Sequence, residues 1–198
     1  SNNVPECVDK VDWLLENNEF LHIEDDKVGL KYYYDIEMQI YNLLLEKSKK
    51  QTDINISDEK IEQAIKHAEE EQGFEYVIEQ LDTIKKSLHR TISLITGKAG
   101  TGKTSIMRAI VKAYTENQFT LTASALSAMA AQRITEATSF PAMTIHRTLG
   151  CMGLNEFSFN KDNHMITSVA FLDEGSMVNA SLFLHWLEAI DDNTRIII

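Results

Sequence analysis

Gly97-Lys98-Ala99-Gly100-Thr101-Gly102-Lys103-Thr104 constrains this chain more than any other segment, because it satisfies G-x-x-x-x-G-K-[ST] at every fixed position. Three of the eight glycines fall within these first six residues. Glycine lets the backbone curl until its N–H groups converge on one point, and a helix starting there adds its positive dipole, so the product is a phosphate cradle. Gly97, Ala99, Gly100, Thr101 and Gly102 are the expected backbone contacts. Lys103 is expected to neutralise the β and γ phosphates of ATP, and Thr104 to offer a hydroxyl to Mg²⁺. Such a loop works only between a strand and a helix. Ile92 to Ile95 reads as the strand, and Ile106, Ala109, Ile110, Ala113 and Tyr114 recur as the inward face of the helix. From Thr91 onward strands and helices alternate, which predicts an α/β fold: a parallel sheet with helices on both faces.

A nucleotide site also needs an acid to hold the metal. Val169-Ala170-Phe171-Leu172-Asp173-Glu174 supplies an apolar strand that ends in two adjacent carboxylates. Side chains alternate along a strand, so the two cannot be equivalent. Asp173 is placed to hold Mg²⁺, directly or through water. Glu174 points elsewhere and can accept a proton from the attacking water or orient it. Lys103, Asp173 and Glu174 are therefore the candidate catalytic residues, and Thr104 and Asp173 the candidate metal ligands. The sequence Arg195-Ile196-Ile197-Ile198 reads as a central strand with nothing after it, which raises the expectation that this is a fragment of a longer chain.

Upstream of Thr91 the chain has a different character. Of its net charge of −11, residues 1–90 carry −10, with 21 acids against 11 bases, whereas residues 91–198 carry −1, with 9 against 8. Phosphate backbones are gripped by local Lys and Arg, so a general nucleic-acid coat is excluded and any groove for DNA belongs to the second half. Val8, Val11, Leu14 and Leu15 recur at helical spacing, and Phe20 to Ile23 and Lys27 to Lys31 read as two strands around a Glu24-Asp25-Asp26 tip. A second helix carries Ile36, Ile40, Leu43 and Leu44 on one face, and a polar linker follows from Lys47 to Asn55. We expect a small winged-helix-like domain over residues 1–55 and an ATPase domain over 56–198. Ser57 is the expected N-cap of a helix with Ile61, Ala64, Ile65 and Ala68 inward, and a further helix carries Val77, Ile78, Leu81, Ile84 and Leu88. Trp13, Leu182, Phe183, Trp186 and Leu187 are expected in the core. Cys7 and Cys151 lie 144 residues apart without ligand spacing and are expected to be free thiols. No apolar run approaches the roughly 18 residues needed to cross a bilayer, so no membrane role and a cytoplasmic location are expected.

With both motifs in place, the chain resembles the RecD-like DNA helicases of superfamily one. Gln80-Leu81-Asp82-Thr83-Ile84, seventeen residues before Gly97, is similar to that family's Q motif, whose glutamine reads the adenine edge; a solvent-facing helix glutamine is the alternative. Phe74 and Tyr76 are both within reach of adenine stacking. Thr120 to Arg133 resembles the strand and helix of motif Ia, although Leu126-Ser127-Ala128-Met129 stands where many relatives have Pro-Thr-Gly-Arg. Thr144-Ile145-His146-Arg147 matches the T-I-H-R segment. Asp173-Glu174-Gly175-Ser176-Met177 resembles D-E-A-S-M, with Gly175 in place of alanine.

The resemblance implies a RecA-like P-loop domain that hydrolyses ATP with Mg²⁺ and moves 5′ to 3′ along single-stranded DNA. It implies DNA contacts at Ser127, His146 and Arg147, with a core or capping role open for His146 and surface ion pairing open for Arg147. It further implies a second RecA-like motor domain, which this chain lacks, and recombination or repair proteins as partners. An isolated first motor domain should hydrolyse ATP poorly, because an arginine finger supplied from elsewhere is worth about 10³ to 10⁵ in rate. Another P-loop enzyme such as a kinase, or an ATP-responsive regulatory module, remains the alternative.

Overall fold

The structure, a computed structural model, describes residues 10, 13, 14, 16, 20–23, 27–98, 100–153 and 156–198. In chain order its elements are β1 (Phe20–Ile23), β2 (Lys27–Leu30), α1 (Lys31–Lys49), α2 (Asp58–Gln72), α3 (Ile78–His89), β3 (Ile92–Ser93) and α4 (Lys103–Glu116). There follow β4 (Leu121–Ala125), α5 (Ala128–Thr138), β5 (Ala142–Thr144), α6 (Ile145–Thr148), β6 (Cys151–Gly153), β7 (Glu156–Phe157), β8 (Val169–Asp173), α7 (Ala180–Glu188) and β9 (Arg195–Ile197).

Five strands form one parallel sheet in the order β3-β9-β8-β4-β5. Alternation along β8 divides its side chains between two cores. Val169 and Phe171 face the layer of α2, α3, α4 and α5, while Ala170 and Leu172 face the layer of α6 and α7. Burial on both faces is why these strands read as unbroken apolar runs. The α/β architecture expected from the phosphate loop is the observed one.

The helices follow their apolar spacing. Ser57 caps α2 by accepting from the Lys60 N–H, and Gly73, with φ of 78°, ends it in the left-handed conformation that glycine adopts without strain. Ile61, Ala64, Ile65 and Ala68 are buried as expected, and so are Ile106, Ala109, Ile110, Ala113 and Tyr114 of α4. Leu182, Trp186 and Leu187 are core residues, and Phe183 stacks on Trp186 with ring centroids 5.9 Å apart.

Several expectations need correction. Trp13 is 59% exposed; Val77 and Ile78 also lie off the core, Ile78 84% exposed, because α3 begins only after Val77 and turns its first residues outward. The strand before the phosphate loop is shorter than Ile92 to Ile95, since Leu94 turns outward, although the Ile95 N–H still reaches the Ile198 carbonyl at 2.7 Å. Lys31 is the first residue of α1 and not the end of the hairpin. Cys7, Val8, Val11, Leu15 and the Glu24-Asp25-Asp26 tip lie outside the described residues; Leu14 is helical and Cys151 is an exposed free thiol.

The stretch expected as a linker is tied to the amino end of the sheet. Lys47 is buried and donates to the carbonyls of Ile190 (2.7 Å) and Asp191 (3.2 Å). Arg195, the first residue of β9, donates to Thr52 Oγ1 at 3.1 Å, to the Ile54 carbonyl at 2.6 Å and to the Leu88 carbonyl. Ile54 and Ile56 then join the core beneath α4. Ile40, Leu43 and Leu44 of α1 pack against the core formed by α7. Among the described residues no helix is long and apolar enough to cross a membrane.

Candidate nucleotide site at the carboxyl edge of the sheet

Parallel strands end in register, which gathers the motif loops at one edge. Ala125 pairs with Asp173 across β4 and β8, and Ala125 pairs with Thr144 across β4 and β5. The loop after β3, the carboxylates after β8, Ser127 after β4 and the T-I-H-R segment after β5 therefore all lie at the carboxyl edge. Open α/β sheets bind ligands at this edge, in the crevice outside the strand ends.

The phosphate loop has the backbone its sequence requires. Gly100 and Gly102 both have φ of 82°, where a side chain would be strained. A Cβ on Gly97 would lie 2.6 Å from Thr101 Oγ1, and one on Gly102 would collide with Gln80 Nε2. Thr101 holds the curl by donating through its hydroxyl (2.8 Å) and its N–H (3.3 Å) to the Lys98 carbonyl. Gly102 is the N-cap of α4, so the unpaired N–H groups of that helix open directly into the loop. Ala99 lies outside the described residues.

Lys103 is half-buried, and its ammonium lies across the mouth of the loop, donating to the carbonyls of Gly97 (2.5 Å) and Lys98 (3.5 Å). Tyr76 braces the start of α4 from behind. It is buried and its hydroxyl donates to the Ser105 carbonyl at 2.7 Å. Burial pushes the Tyr76 phenol up to about 12, against the opposing charge of Arg108, so it stays protonated and remains a donor. Tyr76 is thus a buttress; Phe74, the other residue considered for adenine stacking, is 53% exposed.

Across the cleft stand the two carboxylates. Asp173 Oδ1 accepts from the Glu174 N–H at 2.9 Å, and Glu174 takes the left-handed conformation with φ of 55° and ψ of 34°. That turn separates the two side chains: Asp173 is partly buried at the strand end, and Glu174 is exposed. A cleft of about 710 Å³ is lined by Gly97, Lys103, Thr104, Asp173 and Glu174 together. The residue set suits a phosphate ester with Mg²⁺: a glycine cradle at a helix N-terminus, one hydroxyl and one strand-end carboxylate, leaving other coordination positions to water and phosphate oxygens. Among the described residues no group of three His, Cys, Asp or Glu forms a separate metal cluster.

The other expected residues take different places. Gln80 does not line the cleft but grips the loop from its side, donating from Nε2 to the Thr101 carbonyl (3.2 Å) and accepting the Val77 N–H at Oε1 (3.2 Å). Ser127 caps α5 by accepting the Ala130 N–H at 3.1 Å, with its side chain at the surface. His146 and Arg147 are exposed on α6, and the His146 ring lies 6.3 Å from that of Phe157. His146 is accordingly not a core histidine. A buried hydrogen bond of 3.1 Å between Ser124 Oγ and Thr148 Oγ1 fixes α6 to β4.

Sequence reading missed Arg133, Leu94, Met177 and Ile198, all of which line the cleft. Arg133 adds a third cation to Lys98 and Lys103, its Nη2 3.8 Å from Met129 Sδ. The clue lay in helical spacing: Ala130 and Ile134 are inward residues of α5, and Arg133 sits on the turn between them.

Residues 80–198 match the AAA domain family, a span that runs from Gln80 through the phosphate loop to the end of β9. The chain belongs to this family. It is also similar to the RecD subunit of the RecBCD enzyme of Buchnera aphidicola subsp. Schizaphis graminum (strain Sg), with 26% identity covering 99% of this chain and 37% of the relative. The RecD subunit of the RecBCD enzyme of Buchnera aphidicola subsp. Acyrthosiphon pisum (strain APS) is 27% identical, covering 89% of this chain and 32% of the relative. The chain therefore spans about a third of the length of these relatives, and its likeness to RecD-like helicases of superfamily one reaches well upstream of the motor motifs.

Proposed function

We propose that this AAA domain is the first RecA-like motor domain of an ATP-dependent DNA helicase that moves 5′ to 3′ on single-stranded DNA. The observation that carries the reading is one cleft containing a glycine cradle at the N-terminus of α4 and, facing it, the Asp173-Glu174 pair at the end of β8. Backbone N–H groups of residues 97–102 and the Lys103 ammonium would hold the phosphates of ATP. Thr104 and Asp173 would hold Mg²⁺, which supplies charge neutralisation at the β and γ phosphate oxygens when bound. Glu174 would orient the attacking water or take its proton. Gln80, fixed to the loop at Thr101, would couple the adenine end to the phosphate cradle.

Ser127, His146 and Arg147 stand along the same edge at the ends of β4 and β5, and they are the proposed grip on DNA. Ser127 would present its hydroxyl from the N-cap of α5, and Arg147 its charge from α6. A second RecA-like domain would close the cleft and supply an arginine finger, and recombination or repair proteins would be partners. Residues 1–55 are proposed as the accessory N-terminal domain and 56–198 as the motor domain.

The test is ATP hydrolysis by the intact protein with and without single-stranded DNA, beside Lys103→Ala. Strong stimulation by DNA that vanishes in the variant is expected. Hydrolysis indifferent to DNA would sink the helicase reading and remove Ser127, His146 and Arg147 from it, favouring a kinase or a regulatory module.

A further inference from the structure

The turn after the two carboxylates contains a glycine whose backbone does not need one. Gly175 has no positive φ, unlike Gly73, Gly100, Gly102 and Gly150. What it lacks is room. A Cβ there would lie 2.6 Å from Cγ2 of Ile198, closer than real Cβ contacts come, whereas the next neighbour, Leu172 Cδ2, is at an ordinary 3.8 Å.

Ile198 cannot step aside easily. Its N–H donates to the Ser93 carbonyl at 2.9 Å and its carbonyl accepts the Ile95 N–H at 2.7 Å, which continues the pairing of β9 with β3 up to the phosphate loop. Its Cγ2 is a branch on Cβ and is restricted at χ1, so it does not swing away as the end of a long side chain would. Ile198 also lines the same cleft as Lys103, Asp173 and Glu174.

Gly175 follows Glu174, whose left-handed backbone is set by the bond from its N–H to Asp173 Oδ1 and by the Met177 N–H, which donates to the Glu174 carbonyl at 2.9 Å. The contact between Gly175 and Ile198 therefore joins the turn that aims Glu174 to the strand that borders the phosphate-loop strand. We propose that Gly175 and Ile198 are a size-matched pair of positioning residues that sets how far Glu174 stands from the phosphate cradle. The pair lines the cleft but offers only a backbone and an apolar side chain, no group that would neutralise the phosphates. It fixes the separation of the two halves of the site, and this assignment rests on the ATPase reading above.

A methyl-swap cycle in the intact protein tests it. Gly175→Ala forces the turn or Ile198 to move, and a displacement approaching 1 Å costs about 10²-fold in rate. We expect kcat for ATP to fall by about 10- to 100-fold with KM within about threefold, because the cradle is untouched. Ile198→Ala loosens the brace, and about a three- to tenfold fall in kcat is expected. In Gly175→Ala/Ile198→Ala a methyl returns to the space that another has left, and kcat should recover to within about threefold of wild type.

Recovery in the double variant is the decisive result, and it holds even where Gly175→Ala alone is too unstable to assay. A double variant as slow or as unstable as the single one overturns the proposal. So does a Gly175→Ala protein with wild-type kcat, or one in which KM alone rises. A wild-type protein that binds nucleotide but never turns it over would bring down the ATPase reading and this proposal with it, an outcome distinct from the other three.

Discussion

The two ends of the central sheet use cations in opposite ways. At the amino end, Lys47 and Arg195 are both buried and spend their donors on main-chain carbonyls: Ile190 and Asp191 for the lysine, Leu88 and Ile54 for the arginine. At the carboxyl end, Lys103 and Arg133 line an open cleft, where the Lys103 ammonium donates to loop carbonyls whose place phosphate oxygens could take, and Arg133 has a thioether sulfur as its neighbour. Burial holds the Lys47 ammonium below its ordinary pKa, with Asp192 opposing the shift. Charge type is the same at both ends; the acceptors decide whether a cation is structural or available.

That contrast can be broken most sharply at Lys103. Lys103→Ala in the intact protein should lower ATP turnover by about 10²- to 10³-fold, the scale seen when one preorganised electrostatic donor is lost. Its thermal midpoint should stay within about 2 °C of wild type, because no buried acceptor is orphaned. Turnover and melting of one preparation check both halves of this expectation. Glu174→Gln should suppress turnover by about 10²-fold or more, as loss of a general base does, while leaving nucleotide binding within about threefold. Loss of nucleotide binding in that variant would move Glu174 from chemistry to holding the ligand.

At the other end the ranking reverses. Arg195→Ala leaves the carbonyls of Leu88 and Ile54 buried without their donor and should cost about 3–5 kcal/mol in denaturant unfolding. Arg195→Lys should recover little, since one ammonium cannot reach acceptors that a planar guanidinium serves from separate nitrogens. Wild-type stability in the alanine variant would mean that residues 52–54 are not anchored as described.

Much of this division was legible in the sequence. The phosphate loop, its flanking helix and the carboxylate strand follow from local chemistry: glycine conformations, helical spacing and an unbroken apolar run are properties of neighbouring residues. Ser57 announced the start of α2 for the same reason. Arg195 and Lys47 were not legible, because the main-chain carbonyls they serve lie 107 to 144 residues away and nothing local distinguishes them from surface cations. Gly175 looked like a plain departure from a motif, and only the approach of Ile198 gives it a reason. Trp13 and Ile78 were misjudged because apolar spacing marks a helix face without saying what covers it.

Lys47 sharpens the comparison through pH. Its folded pKa lies below the ordinary 10.5, so between those two values the unfolded chain binds the proton more strongly, and stability contributed by this group rises as pH climbs through that window. The buried Tyr114 phenol is pushed the other way, chiefly by burial, so its contribution falls as pH rises above 10. Subtracting the profile of Lys47→Met from that of wild type cancels the tyrosines, and the remaining difference should slope upward below 10.5. A flat difference would place the Lys47 ammonium in water.

Asp192 is the smallest case and tests the boundary between the two behaviours. Its carboxylate is 62% exposed and pairs with Lys50 and, at 3.6 Å, with Lys47, and the hydrogen bond from Lys50 is the main reason its pKa sits below 3.8. A group held down in this way contributes stability above 3.8 that is lost as pH falls through its folded pKa. Exposure and ionic screening limit that contribution, so Asp192→Asn should cost about 0.2–1 kcal/mol at neutral pH. The cost should shrink in 1 M salt and vanish once the solution is acidic enough to protonate Asp192 in wild type. Lys47 keeps its carbonyl acceptors in this variant, so α1 should stay docked. A loss of several kcal/mol at neutral pH would show instead that the Lys47 ammonium depends on this carboxylate, and that the amino-end clamp is an ion pair at heart and not a set of main-chain hydrogen bonds.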